Sequence, residues 1–417
     1  MIKNLISSTS IKIMFIKASR KTIPLILILF SVLLNAQPVL KTMKRLPGTG
    51  QTTSYTNTFG EDADYNFNPP FYRLNGNGTI TDTVTELMWQ KTDGGEMTIE
   101  NATIYCDTLT LGGYTDWRLP NCHELFSILH HDKTNPAINT TYFTLTAAEY
   151  WWSSQKQVND ATKVWCTNAG GGVGNHPKLE TISAGGTKRF HVRAVRDITS
   201  PPLLPNHYTN NGDGTTTDLL TNLIWKQSFS ADSITWEQAL IEAENLNFSG
   251  HTDWRLPDIK ELQSINDESL INPSVSTVYF NGMKAAFFWS STTLPNQNSK
   301  AWYLDTRYGI TTYANKVNKN YALFVRNANA TSGIIKNQST LRTCSIYPNP
   351  TQGEIFLESD LIVDAITITN SLGQVIRKIM PDAKKVKVVL NEPGVYCIYF
   401  KIGSQINVRK VLVLNTQ

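Results

Sequence analysis

Gly113-Tyr-Thr-Asp-Trp-Arg-Leu-Pro120 returns as Gly250-His-Thr-Asp-Trp-Arg-Leu-Pro257, and the recurrence extends well beyond these eight residues. Asn75-Gly-Asn-Gly-Thr79 with Leu87-Met-Trp89 returns as Asn211-Gly-Asp-Gly-Thr215 with Leu223-Ile-Trp225. Asn135-Pro136, Trp152-Ser-Ser154 and Lys163-Val-Trp165 return as Asn272-Pro273, Trp289-Ser-Ser291 and Lys300-Ala-Trp302, each at an offset of 137 residues. Solenoid repeats run only about 20–50 residues, so this period means one whole domain present twice. The duplication is also an internal control. A residue found in one copy only is not demanded by the fold.

The front of the chain has the order of a secretory signal. Lys17, Arg20 and Lys21 precede the apolar run 23–34, and Ala36-Gln37 supplies a small-residue cleavage point. The alternative is a membrane anchor, but the run is short of the roughly 20 residues needed to span a bilayer. No later segment is apolar enough to cross, so the mature chain carries no transmembrane segment. Residues 1–36 hold five Lys and Arg and no acids, so their removal takes the formal charge from +4 to −1. A mature chain so balanced has no general attraction to nucleic acid. A basic stripe at Lys188, Arg189, Arg193 and Arg196 is either a ligand contact or a solvated strand face. Five cysteines remain, Cys106, Cys122, Cys166, Cys344 and Cys397, and an odd count leaves one thiol without an internal partner. Ala243, Ile259 and Tyr303 stand in copy two where copy one has its three, so those cysteines form no framework.

The chain divides into a signal (1–36), a Thr/Gly/Asn-rich flexible lead-in (37–65), copy one (66–197), a proline-rich linker (198–205), copy two (206–328), a polar linker (329–343) and a tail (344–417). Each copy is long enough to bury a core of its own. Thr98 and Thr235 open helices with apolar positions at helical spacing, and Thr235 with Gln238 makes a capping box. Asn121 with Glu124, and Asp258 with Glu261, cap a second helix after Arg-Leu-Pro. The rest reads as short strands and long loops. The expected class is α+β, with two helices and a small antiparallel sheet per copy.

Eight of the ten tryptophans pair between copies, which marks them as core. Trp151 and Trp236 face Phe288 and Ile99 instead, so they are the better ligand candidates. Asp116-Trp117-Arg118 and Asp253-Trp254-Arg255 read as loop-fixing charges around a buried indole. Asn211–Asp218 imitates a calcium loop. However, with Gly214 at the sixth position the ends are Thr209 and Leu220, which are not acids, so a hairpin is preferred. No cofactor is assigned, and calcium has no positive support. His123, His130 and His131 lack a third fixed zinc ligand and read as a solvated helix face. Gly170-Gly-Gly-Val-Gly174 lacks the lysine of a phosphate loop and reads as a flexible loop. No nucleophile elbow or His-Glu-x-x-His appears, and no catalytic residue is assigned.

Taken together, Asn-Gly-x-Gly-Thr, Leu-x-Trp, Asp-Trp-Arg-Leu-Pro-x-x-x-Glu-Leu, Trp-Ser-Ser and a closing Val-Arg resemble the C-terminal domain of the Legionella collagen-like adhesin family. The resemblance covers both copies. It implies a fold like C-type lectins and the sulfatase-modifying factors, hence two tandem C-type-lectin-like domains in an exported adhesion or glycan-binding protein. Copy one closes with Val192-Arg193 and Val195-Arg196, whereas copy two keeps Val325-Arg326 and has Asn329 in place of the second arginine. The sulfatase-modifying relatives use a cysteine pair. Cys166 stands alone, which speaks against an enzyme.

Tyr347-Pro348-Asn349-Pro350, Gly353, Gly373, Pro393-Gly394-Val395-Tyr396 and Lys410 resemble the C-terminal sorting domain of type IX secretion in Bacteroidota. Alternating apolar residues at Ile366, Ile368, Val386, Val388 and Leu390 add strands of a small all-β Ig-like sandwich. The alternative is an ordinary Ig-like module that stays in place. The expectation is a secreted or cell-surface binding protein with two partners, the type IX machinery and an extracellular glycan. The ligand candidates are Trp151, Trp236, Lys188 and Arg196. The competing readings are a structural surface-layer component and, last, an enzyme.

Overall fold

The structure is a computed structural model that describes residues 39–65, 67–204, 206–328, 344–370, 374–402 and 405–414. The signal with Ala36 and Gln37, the linker 329–343 and Gly373 lie outside the described residues. The two copies form one compact unit and the tail another. Strands dominate, and the helices are few and short.

The first half runs β1 (Val39–Leu40), β2 (Tyr72–Leu74), β3 (Thr79–Asp82), β4 (Leu87–Gln90), α1 (Ile99–Thr108), α2 (Cys122–Ser127), β5 (Tyr150–Gln157), β6 (Asp160–Asn168), β7 (Val173–Pro177), β8 (Phe190–His191), β9 (Val195–Asp197) and β10 (Leu203–Leu204). The second half repeats it with β11 (Tyr208–Asn210), β12 (Thr215–Asp218), β13 (Leu223–Lys226), α3 (Trp236–Glu244), α4 (Ile259–Ser264), β14 (Phe287–Thr293), β15 (Lys300–Asp305), β16 (Ile310–Asn315), β17 (Tyr321–Ala322) and β18 (Val325–Asn327). Asn211–Asp218 forms a hairpin, with residues 211–214 as the turn between β11 and β12. Its Gly214 has φ +84°, and a Cβ there would lie 2.8 Å from the Phe248 ring. The caps follow the sequence pattern. The Asn121 side chain accepts from the Glu124 N–H at 2.8 Å, and Glu124 bonds back to the Asn121 N–H at 2.9 Å. Asp258 and Glu261 repeat the arrangement. All eight paired tryptophans are buried.

Each copy closes a four-stranded sheet, β2-β3-β4-β9 or β11-β12-β13-β18. The remaining strands do not form two separate antiparallel sheets. They join into one sheet of eight, β17-β14-β15-β16-β7-β6-β5-β8, in which Thr311 of β16 pairs with Val173 of β7. The pairings β5–β8 and β14–β17 are parallel. The copies are therefore not autonomous globules. One core is common to both, with Cys122, Phe126, Trp165 and Val173 from the first and Ile259, Leu294 and Trp302 from the second. Separation would expose this apolar face to water. The Gly170–Gly174 stretch is part of this seam and not a flexible loop. A Cβ on Gly172 would stand 2.9 Å from the Thr311 carbonyl oxygen.

Residues 37–65 are likewise not a free lead-in where the structure describes them. They run as a strap between the copies. Gln51 donates 2.8 Å to the Thr293 carbonyl and accepts 3.1 Å from its N–H. Glu61 accepts from the Tyr55 N–H at 2.6 Å and from the Thr293 hydroxyl. The polar composition that read as flexibility is spent on buried hydrogen bonds. Within the proline-rich linker, Leu203 and Leu204 pair with Leu40 and Val39.

The tail comprises β19 (Cys344–Tyr347), β20 (Glu354–Val363), β21 (Ala365–Asn370), β22 (Val375–Ile379), β23 (Ala383–Val389), β24 (Gly394–Ile402) and β25 (Gln405–Val413). Its sheets, β19-β20-β23 and β22-β21-β24-β25, enclose one core that includes Ile355, Val388, Ile366, Ile398 and Phe400. The residues expected to form the sorting motif lie in its turns and in its last two strands. Asn349, between Pro348 and Pro350, accepts from the Leu412 N–H at 2.9 Å. Gly353 has φ +125° and accepts from the Leu390 N–H at 2.7 Å. Gly394 opens β24, the Tyr396 hydroxyl donates 2.9 Å to the Glu392 carbonyl, and Lys410 sits opposite Cys397.

Candidate functional site

A cleft opens at the same place in each copy, beside the first residues of β5 or β14. In copy one it is about 440 Å³ and is lined by Glu149, Tyr150, Asn168 and Arg189 among others. In copy two it is about 290 Å³, with Ala286, Phe287, Arg307 and Lys319. Strand register makes the positions equivalent. Trp151 pairs with His191 as Phe288 pairs with Tyr321, so the offset falls from 137 to 130 after the β7 region. Each cleft thus keeps a half-exposed aromatic ring, Tyr150 or Phe287, and a cation, Arg189 or Lys319.

The surroundings of the rings differ. Tyr150 stacks on Phe190 with centroids 4.7 Å apart, and the Lys188 ammonium lies 5.4 Å from the tyrosine ring. Burial raises the Tyr150 phenol above its usual value, and Lys188 opposes it. Arg189 and Glu149 face each other at 3.6 Å. In copy two the Arg307 guanidinium covers Phe287 at 4.4 Å and is held by Asp305 at 2.9 Å. Copy one offers a compensated charge pair. Copy two offers Lys319 without an acid in the position of Glu149.

Beneath the first cleft the copies diverge most. Asp93 accepts from Thr146 at 2.6 Å and from the Trp151 indole at 3.1 Å, and it faces His191 Nδ1 at 2.9 Å and Arg193 at 3.5 Å. Burial works to raise the Asp93 carboxyl, but the His191 hydrogen bond and the Arg193 charge hold it near 2. Burial lowers Arg193 to about 10. Copy two fills the same space with Leu323 and the rings of Phe229, Phe288 and Tyr321, which lie 5.1–5.8 Å apart.

Trp151 and Trp236 do not present rings to a ligand. Trp151 is 4% exposed and Trp236 is fully buried. The Trp236 indole donates 2.8 Å to the Ser290 carbonyl under Lys316. Their unpaired status reflects two packing solutions in one fold. Arg196 is a clamp and not a free cation. It holds Asp116 at 2.7 and 3.0 Å and covers Tyr114 at 3.9 Å. Arg326 repeats this with Asp253 at 2.8 and 3.1 Å. Arg326 is therefore the counterpart of Arg196. The arginine missing from copy two is Arg193, replaced by Leu323, and the comparison with Asn329 was out of register. Arg118 turns to Glu124 and Asp197, and Arg255 to Glu261 and Asn327. None of the four ligand candidates lines either cleft; Lys188 comes nearest, with its ammonium 5.4 Å from the Tyr150 ring.

The three histidines do not share a helical face, because α2 ends at Ser127. His123 reaches Glu268 of copy two at 2.8 Å, and His131 faces the Gly171 carbonyl at 2.9 Å. Among the described residues no group of three His, Cys, Asp or Glu is placed to hold a metal. Burial pushes the Cys166 thiol well up, away from a reactive thiolate. No described helix is long and apolar enough to cross a membrane. The clefts could not be found from sequence, because their aromatic and cationic members lie 39 residues apart in copy one and 32 in copy two, so that their alignment shifts by seven.

Comparison with known proteins accords with this architecture. The family described as the Lcl C-terminal domain matches residues 78–196 and 214–326. The secretion system C-terminal sorting domain matches residues 345–414, and the protein is exported by type IX secretion to the cell surface or beyond. No curated protein matches. One solved structure is that of PorZ, a surface component of the type IX secretion system of Porphyromonas gingivalis. It is similar at 12% identity over 61% of this chain and 29% of its own, with a TM-score of 0.16. This chain thus spans less than a third of the length of PorZ. Matched over more than half its length, in two successive stretches, the chain belongs to the Lcl C-terminal domain family.

Proposed function

We propose that this exported surface protein is an adhesion or binding module that recognises an extracellular polysaccharide through the two equivalent clefts, each copy having a C-type-lectin-like fold. The observation that carries the reading is the recurrence at one place, in both copies, of an aromatic ring beside a cation. A sugar ring stacks its C–H face on an aromatic side chain and offers hydroxyls to flanking charged groups. Two clefts on one rigid body raise avidity when a polymer spans both. Export begins with cleavage after Ala36.

The test is capture of the full chain by immobilised polysaccharides, with and without calcium. Arg189→Ala with Lys319→Ala should lower retention by about tenfold or more at an unchanged melting temperature. Retention equal to wild type would remove the clefts from the account. Self-association without capture of any polysaccharide would favour a surface-layer role.

A further inference from the structure

A separate cavity of about 210 Å³ lies where the strap meets both copies. Its wall includes Asp62 and Phe67 from the chain ahead of β2, His130 from copy one, and Arg255, Asp258 and Ser291 from copy two. Neither copy builds it alone.

The polar groups of this wall are only partly spent. Asp62 is 5% exposed. Its Oδ2 accepts from the hydroxyls of Thr49 at 2.8 Å and Thr292 at 2.6 Å, while its Oδ1 takes no hydrogen bond among the described residues. Asp258 Oδ1 accepts from the N–H groups of Lys260 and Glu261 at 2.7 and 2.9 Å, and its Oδ2 takes no hydrogen bond among the described residues. His130 is fixed by its Nδ1, which accepts from the Asp132 N–H at 3.4 Å, and Nε2 is left over. Its ring packs on Gly50, which has φ +84° and where a Cβ would stand 2.7 Å away. At the rim Phe67 is 40% exposed, stacked 5.8 Å from Tyr65 and covered on one side by Arg255 at 4.7 Å. Arg255 itself is engaged by Glu261 and Asn327.

An enclosed space with two open carboxyl oxygens, an imidazole nitrogen, a hydroxyl and an aromatic rim matches a small polyhydroxylated ring. Hydroxyls need donors and acceptors close together, and the C–H face needs an apolar plane. Drug-sized ligands occupy about 300–1,000 Å³, so this cavity is sized for one ring and not for a chain. Two aspartates beside an engaged arginine disfavour an anion. Burial raises the Asp62 carboxyl to about 7 and the Asp258 carboxyl well above the usual carboxylate range. We propose that this cavity binds a single neutral sugar ring, with its hydroxyls on Asp62, Asp258, His130 and Ser291 and its apolar face on Phe67. The site stands independently of the paired clefts.

The experiment is calorimetric titration of the full chain with glucose, galactose, mannose and N-acetylglucosamine. At least one should bind saturably at one site per chain. Asp258→Asn keeps the cap of α4, and Phe67→Ala removes an exposed ring, so both should fold. Each should weaken that binding about tenfold or more, or abolish it, whereas Arg189→Ala with Lys319→Ala should leave it unchanged. No binding by any of the four sugars overturns the proposal, as does equal binding by both variants. Terminal recognition of a polymer is distinguished from free-sugar binding by competition. A polysaccharide that displaces the monosaccharide from wild type supplies the ring in place. Polysaccharide capture that depends on Arg189 and Lys319, with no monosaccharide bound, sinks the cavity and keeps the clefts.

Discussion

The ammonium of Lys260, buried in copy two, donates 2.7 Å to the carbonyl of Ser127 in copy one and 3.0 Å to the carbonyl of Gly48 in the strap. One side chain thus joins all three parts of the body. Burial pushes its pKa down to about 8. Lys260→Met removes the donor and leaves two buried carbonyls without it, so it should cost about 1–3 kcal/mol. Thermal unfolding measures this, and an unchanged melting temperature would mean that the apolar seam alone holds the copies together.

Asp93 and Arg193 are partners that copy two replaces with Phe229 and Leu323. Asp93→Ala should destabilise by about 3–5 kcal/mol, because Arg193 is then buried without its acid. Asp93→Phe with Arg193→Leu imports the apolar solution of copy two and should lose less than the sum of the single changes. A double-mutant cycle in urea reads the coupling. Strict additivity would contradict the pairing.

Two seam groups give stability opposite pH slopes. Asp62 rises from 3.8 to about 7, so the folded state binds its proton more tightly than the unfolded chain. Its contribution is full below about pH 4 and is lost as pH rises through 7. Burial sets that direction, the hydrogen bonds from Thr292 and Thr49 oppose it, and the Glu261 and Glu61 charges reinforce it. Asp62→Asn should therefore gain stability relative to wild type across pH 4–7. His131 falls from 6.5 to about 3 through burial and the nearby Lys260 charge. Its contribution is present above pH 6.5 and is lost as pH falls toward 3, so His131→Gln should flatten the acid side. Unfolding curves of the two variants against pH test both signs.

Trp236→Ala should lower stability by about 3–5 kcal/mol, as expected for a large side chain deleted from a packed interior. Any change in polysaccharide capture should track the unfolded fraction. Loss of capture at full stability would return this indole to a ligand role.

Deleting residues 344–417 should leave the remainder inside the cell envelope, since the sorting domain is what type IX secretion reads. Cell fractionation with an antibody to the two-copy body decides the point. Surface display of the truncated chain would contradict it.

The duplication, the caps at Asn121 and Asp258 and the paired buried tryptophans were legible because each is written in local spacing or in the 137-residue echo. The seam was not. Val173 reads as a residue in a glycine loop until Thr311 is placed beside it, and nothing local to Cys122 says that it shares a core with Trp302. The strap misleads for the same reason. Thr49, Gln51 and Asp62 have the composition of a loose segment, and partners remote in sequence, among them His131, Thr292 and Thr293, turn it into buried structure. The clefts escaped because chain between Asn168 and Phe190 was added in one copy and not the other, which displaced Arg189 from its equivalent, Lys319.

Gln51 meets Thr293 across 242 residues of intervening sequence. A belt threaded early and buckled almost at the end imposes an order of assembly. The body stays unfastened until Thr293 has emerged, and closing so large a loop is slow. The fastening of the strap therefore belongs to a late stage of folding, when both copies are present.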